Sequence, residues 1–348
     1  MATTTESTLY PKITTHVKDV VKTLKHKKRD PEHPEQEITL DPIVIRGTVK
    51  LHGTHADIVV HSDNTIVFQS RNQVNLLATA DNGGFAAAMG KKTDTILALR
   101  DQYMARWAQL NPGQIPNSSE PVIIAGEWIG QGIQKDVGIS RLSKRFVIVS
   151  TKINGQWVRD TDYENIEAYK DQIDNISRCG VYWRTLYPED QQKTIDNLEE
   201  LTEIVAARCP FAESFGIFGE GEGLVWKLEP YFSDADLWFK TKGGRFKPTF
   251  VPAPKKLADG AEEKREAAAT VAKAWCSGQR LEQGWDILEE NERNKKGIGK
   301  FLRWVQDDIL LEEKGYIEEH QIEATLLKYE ISAIAKPWYW ERCQRAEE

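Results

Sequence analysis

A break at residues 247–260 limits what this chain can fold into. The stretch reads KPTFVPAPKKLADG, with three prolines and no amphipathic period, which marks a linker. Before it, short β-branched runs alternate with helical stretches. Beyond it, alanine, glutamate, lysine and leucine dominate with helical spacing, in EEKREAAATVAKAWCSG, KFLRWVQDDILLEEKG and EATLLKYEISAIAKPWYW. The expectation is an α+β domain over 1–249, a linker over 250–260 and a small all-α domain over 261–348. The 348 residues are enough for two cores.

Within the first domain, ITLDPIVIRGTVK, ADIVVHS and TIVFQSR read as three strands with turns at Gly53-Thr54 and Asp63-Asn64. Residues 93–110 read as a helix stopped by Asn111-Pro112-Gly113. Strands are expected at 121–128, 144–151, 222–228 and 236–241, and a helix at 188–207. Residues 16–29 read as a short helix ending in a basic cluster, ordinarily a solvated face.

Composition narrows the class. Apolar residues make up 40% and charged residues 28%, as in folded soluble proteins. A net charge of −7 argues against a general nucleic-acid coat protein but leaves room for a local basic channel. The four cysteines are far apart and form no CxxC pair, so neither a zinc ribbon nor a disulfide framework is indicated. No secretory leader is read at the start, and no run of about 18 apolar residues occurs. An intracellular protein, cytoplasmic or nuclear and not tied to a membrane, is expected.

Lys50 ends a predicted strand, in KLHGT, where a lysine projects from a rigid element beside a glycine turn. A nucleophilic lysine must shed its proton, which burial and neighbouring cations promote. Taken alone, a strand-end lysine is ordinary. Its company is not: Arg71 in FQSRN, Glu127 in EWIGQGIQK, Glu222 in GEGLVWK, and Lys240 with Lys242 in FKTKGGRFK. Residues two apart on a strand share a face, so both of these last amines can address one phosphate. Cations there oppose the charge that builds during nucleotidyl transfer, and a carboxylate such as Glu222 can hold a divalent metal. The spacing Gly219-Glu220-Gly221-Glu222-Gly223 is not a dinucleotide site, since acidic residues line it and a strand follows.

Ordered together, these motifs resemble those of the covalent nucleotidyltransferases: DNA ligases, RNA ligases and mRNA capping enzymes. They stand as Lys50-Leu51-His52-Gly53, Ser70-Arg71-Asn72, Glu127-Trp128-Ile129-Gly130, Arg145-Phe146-Val147-Ile148-Val149, Glu222-Gly223-Leu224-Val225-Trp226-Lys227 and Lys240-Thr241-Lys242. His52 in KLHGT, the GIQK stretch and FKTKGGRFK are similar to the phage-type second RNA ligase branch, which includes the RNA-editing ligases. His55 stands where that branch usually has asparagine, and no role is carried over to it.

The resemblance implies an ATP-grasp-like ligase domain of antiparallel sheets flanked by helices, with a helical C-terminal domain. It implies an ATP-dependent RNA ligase, needing Mg2+ or Mn2+ and acting as a monomer. AMP from ATP is held on Lys50, passed to an RNA 5′-phosphate and displaced by a 3′-hydroxyl. Lys50 would be the nucleophile, and His52 would act near the phosphates. Arg71 would contact sugar or phosphate, and Glu127 the ribose. Phe146 would stack on adenine, or else pack in the core. Glu222 would support the metal, while Lys227, Lys240 and Lys242 would bind phosphate. The Val49 main chain would lie along the adenine edge. Arg46, Lys91, Lys92 and Lys135 are weaker candidates for a strand path. The rival expectations are a DNA ligase, a GTP-using capping enzyme, or a nucleic-acid-binding protein that has lost catalysis.

Overall fold

Alternation in the first two hundred and forty residues resolves into strands with opposite loyalties. In chain order they are β1 (Ile43–Lys50), β2 (Thr54–Val60), β3 (Ile66–Ser70), β4 (Val122–Ile129), β5 (Arg145–Ile153), β6 (Gln156–Trp157), β7 (Ile173–Asn175), β8 (Tyr182–Leu186), β9 (Gly223–Leu228) and β10 (Phe239–Lys242). The computed structural model describes residues 10–33, 38–71, 73–81, 83–247, 261–288 and 290–347. The expected linker at 250–260 and Asn72 lie outside the described residues.

Two sheets result. One is antiparallel in the order β10-β9-β1-β8; the other runs β3-β2-β4-β5-β6, with β7 added in parallel to β5. The Leu51-His52-Gly53 turn carries the chain from the first sheet to the second. Gly53 is needed there, because a Cβ would lie 2.5 Å from the Trp128 carbonyl oxygen.

Among the described residues, the α-helices of this unit are α1 (Val17–Lys28), α2 (Phe85–Met89), α3 (Thr93–Leu110), α4 (Gln191–Ala207) and α5 (Pro210–Glu213). The apolar face of α3, with Ile96, Leu99, Tyr103 and Trp107, shares a buried core with Ala56, Ile58, Ile124, Phe146 and Ile148 of the second sheet. The first sheet turns Trp226 and Phe239 away from the cleft, and Thr202 of α4 reaches it by hydrogen-bonding Thr241 at 2.8 Å. Gly47 leaves room for Trp226, whose ring a Cβ would meet at 2.6 Å. Between the sheets, Tyr10, Trp157 and Trp238 form an aromatic cluster with ring centroids 5.4–5.7 Å apart. The basic end of α1 is partly spent on the fold: Lys25 pairs with Glu189, and Lys27 with Asp234 and Asp236.

Contacts divide the chain into two units, 1–245 and 246–348. The second unit holds α6 (Ala261–Trp275), α7 (Gly278–Asp286), α8 (Ile298–Glu312), α9 (Lys314–Glu319) and α10 (Ala324–Glu347). Its own core includes Trp285, Phe301, Val305, Ile331 and Tyr339. Half-buried Arg280 is held by Asp308 and Glu312, at 3.1 and 2.8 Å. The architecture is α+β followed by a helical region.

Candidate active site

The pleat of the first sheet aligns the basic residues picked out from sequence. Gly223 of β9 pairs with Lys50 of β1 on one side and with Lys242 of β10 on the other. One row along, Val225 pairs with Thr48 and Lys240, and two rows along Lys227 pairs with Arg46. Lys50, Arg46, Lys227, Lys240 and Lys242 therefore share the face that looks toward the second sheet.

Glu222 is the centre of the first group. Its Oε2 lies 2.7 Å from Lys50 Nζ and 3.4 Å from His52 Nδ1, and its Oε1 lies 3.4 Å from Lys242 Nζ. Burial alone would raise the pKa of this carboxyl, but Lys50, Lys242 and His52 outweigh burial and hold it well below the usual carboxylate range. It is an ionised group at 2% exposure, while Lys50 keeps a fifth of its side chain open. The preceding glycines fix it by backbone packing. Gly219 accepts from Cys209 N–H and Gly221 donates to Ala206, each at 2.8 Å, and Gly243 N–H donates to Glu222 itself at 3.0 Å.

On the facing sheet, His55 pairs across strands with Glu127. Glu127 is half-buried. Burial raises its pKa, as does Glu222, while the charges of His55, Lys50 and Arg71 pull it down. Arg71 itself is exposed at the end of β3, within electrostatic reach of Glu127. The structure thus brings Lys50, His52, Arg71, Glu127, Glu222 and Lys242 to one neighbourhood, with buried Lys240 one row behind.

Phe146, Lys227 and Arg46 sit differently from their sequence assignments. Phe146 is fully buried in the α3 core, 5.4 Å from Phe85. Its cross-strand partner is Trp128, whereas Val147 is opposite Glu127. The pleat therefore points Phe146 away from Glu127, and core packing is its observed role. A bulge beside Ala125 and Gly126 leaves half-buried Val149 out of register on this strand. Val49 likewise buries its side chain on the far face of the first sheet, so only its main chain can serve a ligand. Lys227 lies about 13 Å along β9 from the Lys50 row. It pairs with Asp160 at 2.7 Å, sits over the Trp238 ring at 3.9 Å and donates to Ser150. Burial lowers its pKa, and Asp160 opposes that. Arg46 joins the same cluster, 3.0 Å from Asp160 and 3.2 Å from Glu229, so it is no part of an exposed strand path.

Sequence reading missed Asp160, Asp57 and Ser150. None lies in a recognisable motif, and long-range pairing alone assembles them. Among the described residues no group of three or more His, Cys, Asp or Glu side chains forms a metal cage. Ionised Glu222 fits a hard cation that takes few protein carboxylates and completes its shell with water and phosphate oxygens. The lysines around it fit an anion.

The RNA ligase family matches residues 43–242, and the chain belongs to that family. Among solved structures it is similar to a mutant of Naegleria gruberi RNA ligase with AMP and Mn, at 15% identity over 67% of this chain and 56% of that one, TM-score 0.39. The same ligase with PPi is 16% identical over 70% and 60% of the two chains, TM-score 0.39. The chain thus spans less than two thirds of these structures' length. No curated protein sequence matches it.

Proposed function

We propose that this protein is an ATP-dependent RNA ligase that joins 3′-hydroxyl and 5′-phosphate RNA ends, nicks included. The observation that carries this reading is the convergence of Lys50, His52 and Lys242 on Glu222. It supports a reading in which Lys50 takes a covalent group and the neighbouring cations hold it.

The chemistry follows. Lys50 Nζ, once deprotonated, attacks the α-phosphate of ATP; an N–P bond forms and pyrophosphate leaves. Lys242 and Lys240 offset the charge on the transferred phosphate, and Lys227 supports their face of the sheet from its buried pair with Asp160. An Mg2+ or Mn2+ ion at Glu222 would screen the leaving pyrophosphate. Glu127 accepts from the ribose hydroxyls, and Arg71 contacts sugar or phosphate. The Val49 main chain runs beside the base. The RNA 5′-phosphate next displaces Lys50 from AMP. The RNA 3′-hydroxyl then attacks that phosphate and releases AMP, with His52 acting near the phosphates. Dividing one condensation among displacements lowers each barrier.

KLHGT, GIQK and the helical region support the phage-type second RNA ligase branch and its editing relatives. Residues 1–249 would form the adenylyltransferase domain and 261–348 a helical domain. The protein would act on RNA as a monomer, in the cytoplasm or nucleus; no helix among the described residues is long and apolar enough to cross a membrane.

The test supplies purified protein with Mg2+ or Mn2+, labelled ATP or GTP, and a panel of nicked RNA and DNA duplexes. Labelling from ATP and sealing of RNA nicks are expected. Labelling from GTP instead, or sealing confined to DNA, would replace this reading with a capping enzyme or a DNA ligase. No transfer from either nucleotide would leave a binding protein.

A further inference from the structure

Beside the lysine cluster lies a pair the mechanism does not use. His55 and Asp57 are two apart on β2 and share the face that carries Glu127 on β4. His55 Nε2 lies 2.9 Å from Asp57 Oδ1. Asp57 is fully buried, and among the described residues His55 is its ion-pair partner. Neither Asp57 oxygen makes a hydrogen bond to a described residue. A buried carboxylate is costly unless a partner compensates it, and the His55 imidazole stands where that partner must be. Tyr10 closes over that imidazole, with ring centroids 4.9 Å apart, and Trp157 and Trp238 stand behind Tyr10. Few rotamers remain for a ring so enclosed.

We propose that His55, anchored by Asp57, is a positioning residue for the Glu127 carboxylate and, through it, for the sugar of the bound nucleotide. Directly opposed cross-strand side chains stand about 5 Å apart at Cβ. At that distance His55 pulls the Glu127 pKa down, against burial, toward the ionised, hydrogen-bond-accepting form. The charged and titratable groups around the pair are Asp57 on β2, Glu127 on β4, Lys50 on β1, Arg71 after β3, Glu222 before β9 and the phenol of Tyr10. Lys50 and Arg71 also draw the Glu127 pKa down, and burial and Glu222 raise it. His55 differs from those two cations in being fixed by a buried counter-charge on the same strand. The role assigned to the sugar rests on the proposed ligase function; the coupling of His55 to Glu127 does not.

The experiment uses the full chain with carbon-13-labelled glutamate carboxylates, and Glu127→Gln identifies the Glu127 signal. In His55→Asn and Asp57→Asn the Glu127 carboxylate should titrate at higher pH than in the wild type. The KM for ATP in self-adenylylation should rise about tenfold, with the rate at saturating ATP within about threefold. His55→Gln serves as a second uncharged variant should His55→Asn fail to fold. A Glu127 titration unmoved in folded variants of both residues overturns the proposal. A shifted titration in a protein whose wild type takes no label from ATP keeps the coupling, and overturns the ligase function and the nucleotide role built on it.

Discussion

Lys50 and Lys242 face each other across a single glycine. Both are backbone partners of Gly223, on β1 and β10, and both amines reach the Glu222 carboxylate, at 2.7 and 3.4 Å. The motif glycine is thus the spacer that sets two cations around one acid.

Gly223 has φ of +151°, and a Cβ there would lie 2.0 Å from the Thr241 carbonyl oxygen. Backbone on β9 or β10 must move to admit it. Gly223→Ala should therefore cost about 2–4 kcal/mol in urea unfolding. It should also slow self-adenylylation by about 100-fold, because displacements near 1 Å are expensive for group transfer. Retained stability with wild-type labelling would show that the spacing is not critical.

Glu127 carries a stability cost that the proposed function would require. Burial raises its folded pKa, so its favourable contribution is complete below the unfolded value of about 4.3 and is lost as pH rises through the folded value. Glu127→Gln should accordingly melt about 2 °C higher than wild type at pH 8, with the gap closing toward pH 4. The same variant should bind ATP at least about tenfold more weakly. A melting gap that widens as the pH falls would contradict the assignment of burial as the cause.

Asp160 holds two buried cations, Arg46 at 3.0 Å and Lys227 at 2.7 Å. Removing the acid leaves both cations short of compensation. Asp160→Ala should lose about 3 kcal/mol of stability. Lys227→Met in the Asp160→Ala background should return part of that loss, since it withdraws one uncompensated charge. Additive losses in the double variant would mean that the two side chains are not energetically coupled.

Much of this site was legible because its residues sit at strand ends, where local pattern and motif coincide. Lys50 closes β1, Glu222 precedes β9 and Lys242 closes β10. The helix at 93–110 was bounded by its own stop signal at Asn111. What escaped depends on long-range pairing. Phe146 and Val147 are adjacent, and only the register with β4 decides which of them faces Glu127. β8 escaped because it is a five-residue edge strand with exposed Trp183 as its second residue, so no alternating pattern announces it. The His55–Asp57 pair was invisible in kind: the i, i+2 spacing was on the page, but not the depth of Asp57. In the second unit, α7 and α9 are short, and their periodicity covers fewer than three turns.

The central claim is that Lys50 becomes covalently adenylylated. Peptide mass spectrometry after incubation with ATP and Mg2+ measures it directly. One AMP should appear on the peptide containing Lys50, released by added pyrophosphate, and Lys50→Ala should carry none anywhere in the chain. An AMP adduct on a different residue, or one that persists in Lys50→Ala, would contradict the account.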